Sequence, residues 1–166
     1  GSHDALIDYS EVFEFGDIVI DFEVIAKNGI NDVITKVRVA NTINDARVVG
    51  VISNKIDKTK HMPAAMSQTY VVDGRSFTTI KPEYLEAYNS TRMITINSLG
   101  EGQINVCGLG GDIQAGDYIT SSTLPGKGMK QSDNLMHSYT VAKARESVTF
   151  SSPEEVKQIA CIYHCG

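Results

Sequence analysis

The chain has 166 residues, is 42% hydrophobic and carries a net charge of −5, which suits one domain able to build a real core. No Lys/Arg block stands out, which argues against a nucleic-acid or anionic-membrane partner, because phosphate binding needs clustered cations. No apolar run approaches the roughly 20 residues that a membrane helix needs.

Gly1-Ser2-His3 reads as the scar of an expression tag and is set aside, leaving residues 4–166 as a single β-rich domain. Ile18, Ile20, Phe22 and Val24 alternate with Val19, Asp21, Glu23 and Ile25, a period of two that predicts a strand. Lys27-Asn28-Gly29 follows as a hairpin turn. Val33–Ala40 alternates again, with Val33, Val37 and Val39 on one face and Lys36 and Arg38 on the other. Arg47–Ser53 is nearly continuous in apolar residues and predicts a strand buried on both sides. Further strands are expected at 68–72, 93–97, 104–107, 118–122, 139–144 and 158–164, with turns at the rhythm of a sandwich or barrel.

Helix signals are few. Pro82–Tyr88 opens with Pro and acidic residues, and Ser152-Pro153-Glu154-Glu155 has an N-cap Ser before Pro, so one or two short helices are expected. Residues 57–92 are more polar and irregular and read as a long excursion from the sheet. No internal repeat and no low-complexity linker stands out.

Asp8, Glu11 and Glu14 fall three apart. Neighbouring carboxylates push one another's pKa apart, so one can act as general acid and the other as base. The alternative is a solvated acidic segment pinned to the sheet by Phe13 and Phe15, and spacing alone favours it.

The run Asp8-Tyr9-Ser10-Glu11-Val12-Phe13-Glu14-Phe15 resembles the D-Y-A-E-x-F-E-W signature that opens the self-cleaving intramolecular-chaperone domain of phage tail fibres and neck appendages, of the glutamic-peptidase type. Val48–Ser53 is similar to that family's V-G-V-V-S strand, and Gly111–Ser122 to its G-D-I-x-x-G-D-x-I-x-x-S stretch. Leu124–Met129 and Thr140–Ala144 resemble the turn and strand behind it. The resemblance implies a C-terminal chaperone that assembles as a homotrimer, helps the upstream fibre segment to trimerise, and resides in the virion after synthesis in the host cytoplasm. It also implies cleavage of the Ile7–Asp8 bond, with Asp8 and Glu11 as the catalytic acidic pair. Ile7 is bulky where the family often carries a small residue, and the chain runs unbroken through that bond. The assembly role is therefore favoured over autoproteolysis. The alternative function is a receptor-binding tip that meets a host surface receptor through the tyrosines of the excursion, Tyr70, Tyr84 and Tyr88.

Cys107, Cys161 and Cys165 are odd in number and read as reduced thiols rather than a disulfide framework. Cys161-Ile162-Tyr163-His164-Cys165 alternates like a strand, with both cysteines facing away from His164, which disfavours zinc. Gly108–Gly111 and Gly126-Lys127-Gly128 lack a dinucleotide or phosphate-loop pattern and read as turns. Ser121-Ser122 has no nucleophile elbow around it. No cofactor and no metal are expected.

Overall fold

A computed structural model describes residues 1–165 as a mainly β fold with one short helix. In chain order the strands are β1 Ser2–Asp8, β2 Ile18–Asn28, β3 Asp32–Val39, β4 Val48–Ile56, β5 Ser67–Val72 and β6 Arg75–Ile80. After helix α1, Leu85–Asn89, come β7 Thr91–Asn97, β8 Leu99–Cys107, β9 Tyr118–Ser121, β10 Gly128–Lys130, β11 Ala142–Ala144 and β12 Val156–His164.

Ten of these strands form two closed five-stranded sheets with the same wiring. Around the first the order is β1-β3-β2-β4-β7, and around the second β8-β10-β9-β11-β12. Each contains one parallel pair, β1 with β3 and β8 with β10, and every other pairing is antiparallel. Leu6 on β1 faces Lys36, and Val106 on β8 faces Gly128.

The turn that enters β2 recurs at the entry to β9. Gly16 and Gly116 both have φ +97. Asp17 Oδ2 accepts the Glu14 N–H at 2.9 Å, and Asp117 Oδ2 accepts the Gln114 N–H at 2.8 Å. The Gly16 amide donates to the Ile52 carbonyl as the Gly116 amide donates to that of Ala144. The chain therefore contains a structural repeat that its sequence does not announce. Little beyond Gly-Asp is shared, and Phe13 fills in the first unit the place that Ile113 takes in the second.

A five-stranded sheet closed on itself must bury its interior and cover any apolar patch outside. Val19, Val37, Ile52, Ile94 and Ile96 fill the first interior. Ile18, Ile20, Val48 and Val51 point outward and join Ile104, Val106, Ile119 and Ile159 in one core shared with the second unit. On another outer wall Leu6, Ile34 and Met93 are covered by Ala65, Met66 and Ile80 from the excursion. These two coverings explain why Ile18-Val19-Ile20 and Ala5-Leu6-Ile7 are buried at every position.

The two units are welded by a buried charge. Asp17 is 2% exposed, and its Oδ1 accepts Lys127 Nζ at 2.6 Å and Asn105 Nδ2 at 2.8 Å. The Ile18 amide donates to the Gly126 carbonyl, and the Gly126 amide to that of Ala40. Gly126 is obligatory here, since it has φ +78 and a Cβ would lie 2.6 Å from the Asp17 carboxyl carbon.

Several expectations change. Phe22 and Val24 do not continue the buried face of Ile18 and Ile20 but stand exposed, because two register shifts in β2 opposite β3 break the alternation. Val33 is exposed, whereas Ile34, on the opposite face of β3 from Val37, is buried beneath the excursion. Only residues 142–144 of the expected 139–144 strand pair in the sheet. Pro82–Tyr84 forms a 3₁₀ turn that runs into α1, whereas Ser152–Glu155 is a plain turn in which the Glu155 carboxylate accepts the Ser151 N–H and Oγ–H. Ser2 and His3, set aside above, lie in β1 opposite Asn97 and Ile96.

Two stability changes follow from this packing. Gly50 has φ +141, and a Cβ there would collide with the Asn97 carbonyl, so Gly50→Ala destabilises by about 3 kcal/mol or more in denaturant unfolding. Lys127→Met strands the Asp17 carboxylate between the units and costs about 3–5 kcal/mol in the same assay, with part recovered in Asp17→Asn/Lys127→Met.

Candidate functional site

The acidic signature leaves β1 as a tight turn followed by a strap. Asp8 still pairs with Thr91, the Tyr9 amide donates to the Ser90 carbonyl, and the Glu11 amide returns to the Asp8 carbonyl at 3.0 Å. Strand geometry holds Asp8, and the turn places Glu11.

Cations from neighbouring strands hold the strap down. Arg92 on β7 donates to the Glu11 carbonyl at 2.8 Å, and its guanidinium lies 4.8 Å from the Phe13 ring centroid. Lys55 stands 5.8 Å from the same ring, and Lys58 lies over Tyr9 and Tyr88. Such contacts are each worth about 0.5–1 kcal/mol at exposed sites. Phe13 packs onto the first interior core, so it anchors the strap. Val12 is 87% exposed, and Tyr9 and Phe15 are also exposed.

Asp8 and Glu11 line one open cleft of about 610 Å³ with Val12, Phe22, Arg38 and Arg47. The Asp8 carboxylate is paired with Lys36 Nζ at 3.3 Å, and Arg38 stacks 3.3 Å over the Phe22 ring. Arg47 holds Asp45 in a two-pronged pair of 3.0 and 2.8 Å. Those hydrogen bonds are the main reason the Asp45 carboxyl lies below its ordinary pKa. The cleft therefore brings the two sequence-selected acids to one place, together with basic residues that spacing could not reveal.

The Ile7–Asp8 bond lies within a strand paired on both sides. Ile7 faces Val37 on β3 and Arg92 on β7, and Ala5, Leu6 and Ile7 are fully buried. A nucleophile must approach a carbonyl out of the amide plane, within reach of a general base. With β1 paired, Ile7 is fully buried, so solvent does not reach its carbonyl.

The remaining candidates are dispersed. Cys161 and Tyr163 point into the shared core and Cys165 packs against it, while His164 meets the Tyr118 ring edge-on at 6.0 Å. Burial pushes the Cys161 and Cys165 thiols up to about 12. Burial, and then Lys143, push the His164 imidazole below its ordinary pKa. Ser121 and Ser122 are buried and spend their hydroxyls on backbone carbonyls. Gly108–Gly110 is a 3₁₀ turn. Among the described residues no group of three or more His, Cys, Asp or Glu is placed to hold a metal ion, and no helix is long and apolar enough to cross a membrane. In the excursion Tyr70 is exposed, whereas Tyr84 and Tyr88 pack against the outer wall of the first unit.

A thiol with a pKa near 12 is ionised to only about one part in 10⁴ at pH 8, and only the thiolate attacks disulfides. In the native protein at pH 8 Cys161 and Cys165 should therefore react slowly with an aromatic disulfide reagent, and Cys107 is fully buried out of its reach. All three cysteines should titrate promptly in guanidinium.

No family model, no curated protein and no solved structure matches this chain.

Proposed function

We propose that this chain is an assembly domain, the C-terminal intramolecular chaperone of a viral tail-fibre or appendage protein, which associates as a homotrimer. The observation that carries this reading is the strap. The segment that resembles the family signature is pinned at Phe13 yet leaves Tyr9, Val12 and Phe15 in solvent, and Val12 shares its cleft with the exposed Phe22. Apolar side chains left exposed along an ordered, cation-braced segment suit contact with a partner.

The physical benefit is one of chain registration. Aligning three thin fibre chains is entropically costly before any contact rewards it, and a folded domain that associates first removes that cost. Release by self-cleavage before Asp8 belongs to the same reading, with Asp8 and Glu11 as its acids. The buried Ile7–Asp8 bond and the Lys36 partner of Asp8 weigh towards assembly as the main activity. The receptor-tip alternative is weakened by the packing of Tyr84 and Tyr88.

Light scattering at micromolar concentration should give three times the 18.1 kDa chain mass. A monomer would overturn the assembly reading. For the cleavage arm, the native upstream segment is fused ahead of Asp8 and followed on a denaturing gel. A fragment that starts at Asp8 and disappears in Glu11→Ala supports self-cleavage, and intact chain throughout removes it.

A further inference from the structure

The repeat supplies an internal control for the excursion. The two units make the same connection, β4 to β7 in the first and β11 to β12 in the second. The second unit uses residues 145–155, and the first uses residues 57–90, about three times as many. Closing the sheet thus does not require the β5–β6 hairpin.

The excursion divides into a base and an arm. Ala65 and Met66, just before β5, and Ile80, at the end of β6, are buried against the outer wall with Leu6, Ile34 and Met93. Residues 68–78 are all exposed. β5 and β6 make their extensive contacts with each other, while the 3₁₀ turn before them packs on β2 and β3 and the helix after them on β7. The arm is regular to its tip. It pairs without a shift from Ser67 opposite Ile80 to Val72 opposite Arg75, and it turns at Asp73-Gly74 with φ +52 and +77. Both positive values fit the tight hairpin turn whose twist matches the strands.

An isolated two-stranded hairpin is marginal in water. This one also lacks the usual protection of free edges, having no Pro, no Lys and no bulge along either strand. One face carries Tyr70 stacked on Phe77 at 5.8 Å, and the other carries Val71 and the hydrogen-bonded pair Thr69 and Thr78.

We infer that the β5–β6 arm is where one copy of this chain grips another, by adding edge to edge onto the same arm of a neighbouring copy. The inference rests on the assembly reading and gives it a contact. Charge favours a second copy as the occupant. The chain carries −5 overall, so most faces repel their like, but the arm holds only Asp73 and Arg75, which cancel. Two arms therefore meet without a like-charge cost, and an acidic or basic partner would find no complement there. Main-chain hydrogen bonds from the open edges supply affinity, and the alternating side chains set the register.

The test uses two variants of the full chain. In the first, residues 68–79 are replaced by Asn-Gly, which joins Ser67 to Ile80 across a pairing they already make. In the second, Thr69→Lys/Val71→Lys keeps the arm but charges an edge strand. Circular dichroism and thermal melting report the fold, and light scattering across a dilution series reports association. Both variants should fold like the parent, with the shortened chain monomeric at micromolar concentration and the charged chain associating at least tenfold more weakly. If the shortened chain fails to fold, the charged chain decides. Parent-like association in the deciding variant overturns the arm contact while leaving the assembly reading standing. A monomeric parent overturns both, and so would an arm that captures an added oligosaccharide while copies stay apart.

Discussion

Asp17 carries its charge between two closed sheets, and the rest of the molecule is arranged around keeping it satisfied. Lys127 and Asn105 reach it from the second unit, and its own turn supplies the Glu14 amide. Removing a carboxylate from water costs several kcal/mol unless its partners are in place, so the two units cannot separate or slide without stranding it. The repeat sharpens the point. Asp117 makes the same turn in the second unit, but its cation, Lys130, stands 3.7 Å away with a side chain 42% exposed. The turn is thus a generic way to enter a strand of this fold, and the first copy has been drawn inward to become the weld. Gly126 and Gly16 mark the closeness of that joint, since a Cβ on either would meet Asp17 or Asn105.

The weld, the shared core and the excursion's base solve one geometric problem three times. A small closed sheet has apolar residues on more sides than its interior can absorb. The second unit covers Ile18, Ile20, Val48 and Val51, and the excursion covers Leu6, Ile34 and Met93. What lies beyond these coverings carries little of the folding energy. The arm and the outer strap residues belong to the low-stability end of the molecule, where exposed backbone and few buried contacts permit rearrangement.

Much of this was legible in the sequence where burial was simple. The run Arg47–Ser53 reads as a strand buried on both sides, and its apolar centre is one, since Val48 and Val51 face one core while Val49 and Ile52 face another, although Arg47 lies exposed just before the strand. β2 resisted the same reasoning because its two faces meet different neighbours along its length, and its register shifts exchange the faces midway. β10 is only three residues long and has no pattern to detect. The arm could have been found, because Asp73-Gly74 sits between Val71-Val72 and Ser76-Phe77, a recognised hairpin signal. The repeat could not, because topology preserves positions while side chains are exchanged. At the candidate site the acids were singled out by the resemblance, since spacing alone favours a solvated segment. Lys36, Lys55, Lys58 and Arg92 were not, because each arrives from a strand or, for Lys58, the turn after β4, distant in sequence.

That distance also bears on timing. β1 closes the first sheet by pairing with β3 on one side and β7 on the other, and β7 begins more than 80 residues later. Such long-range closure carries a loop-entropy cost and comes late relative to local hairpins such as β2–β3. Before it, Ile7–Asp8 is an ordinary exposed peptide and Asp8 lacks its Lys36 partner. After it, Ile7 is fully buried and the Asp8 carboxylate is paired with Lys36. While β1 is paired, Ile7 is shut off from solvent, and the strap takes its place from the turn that follows β1.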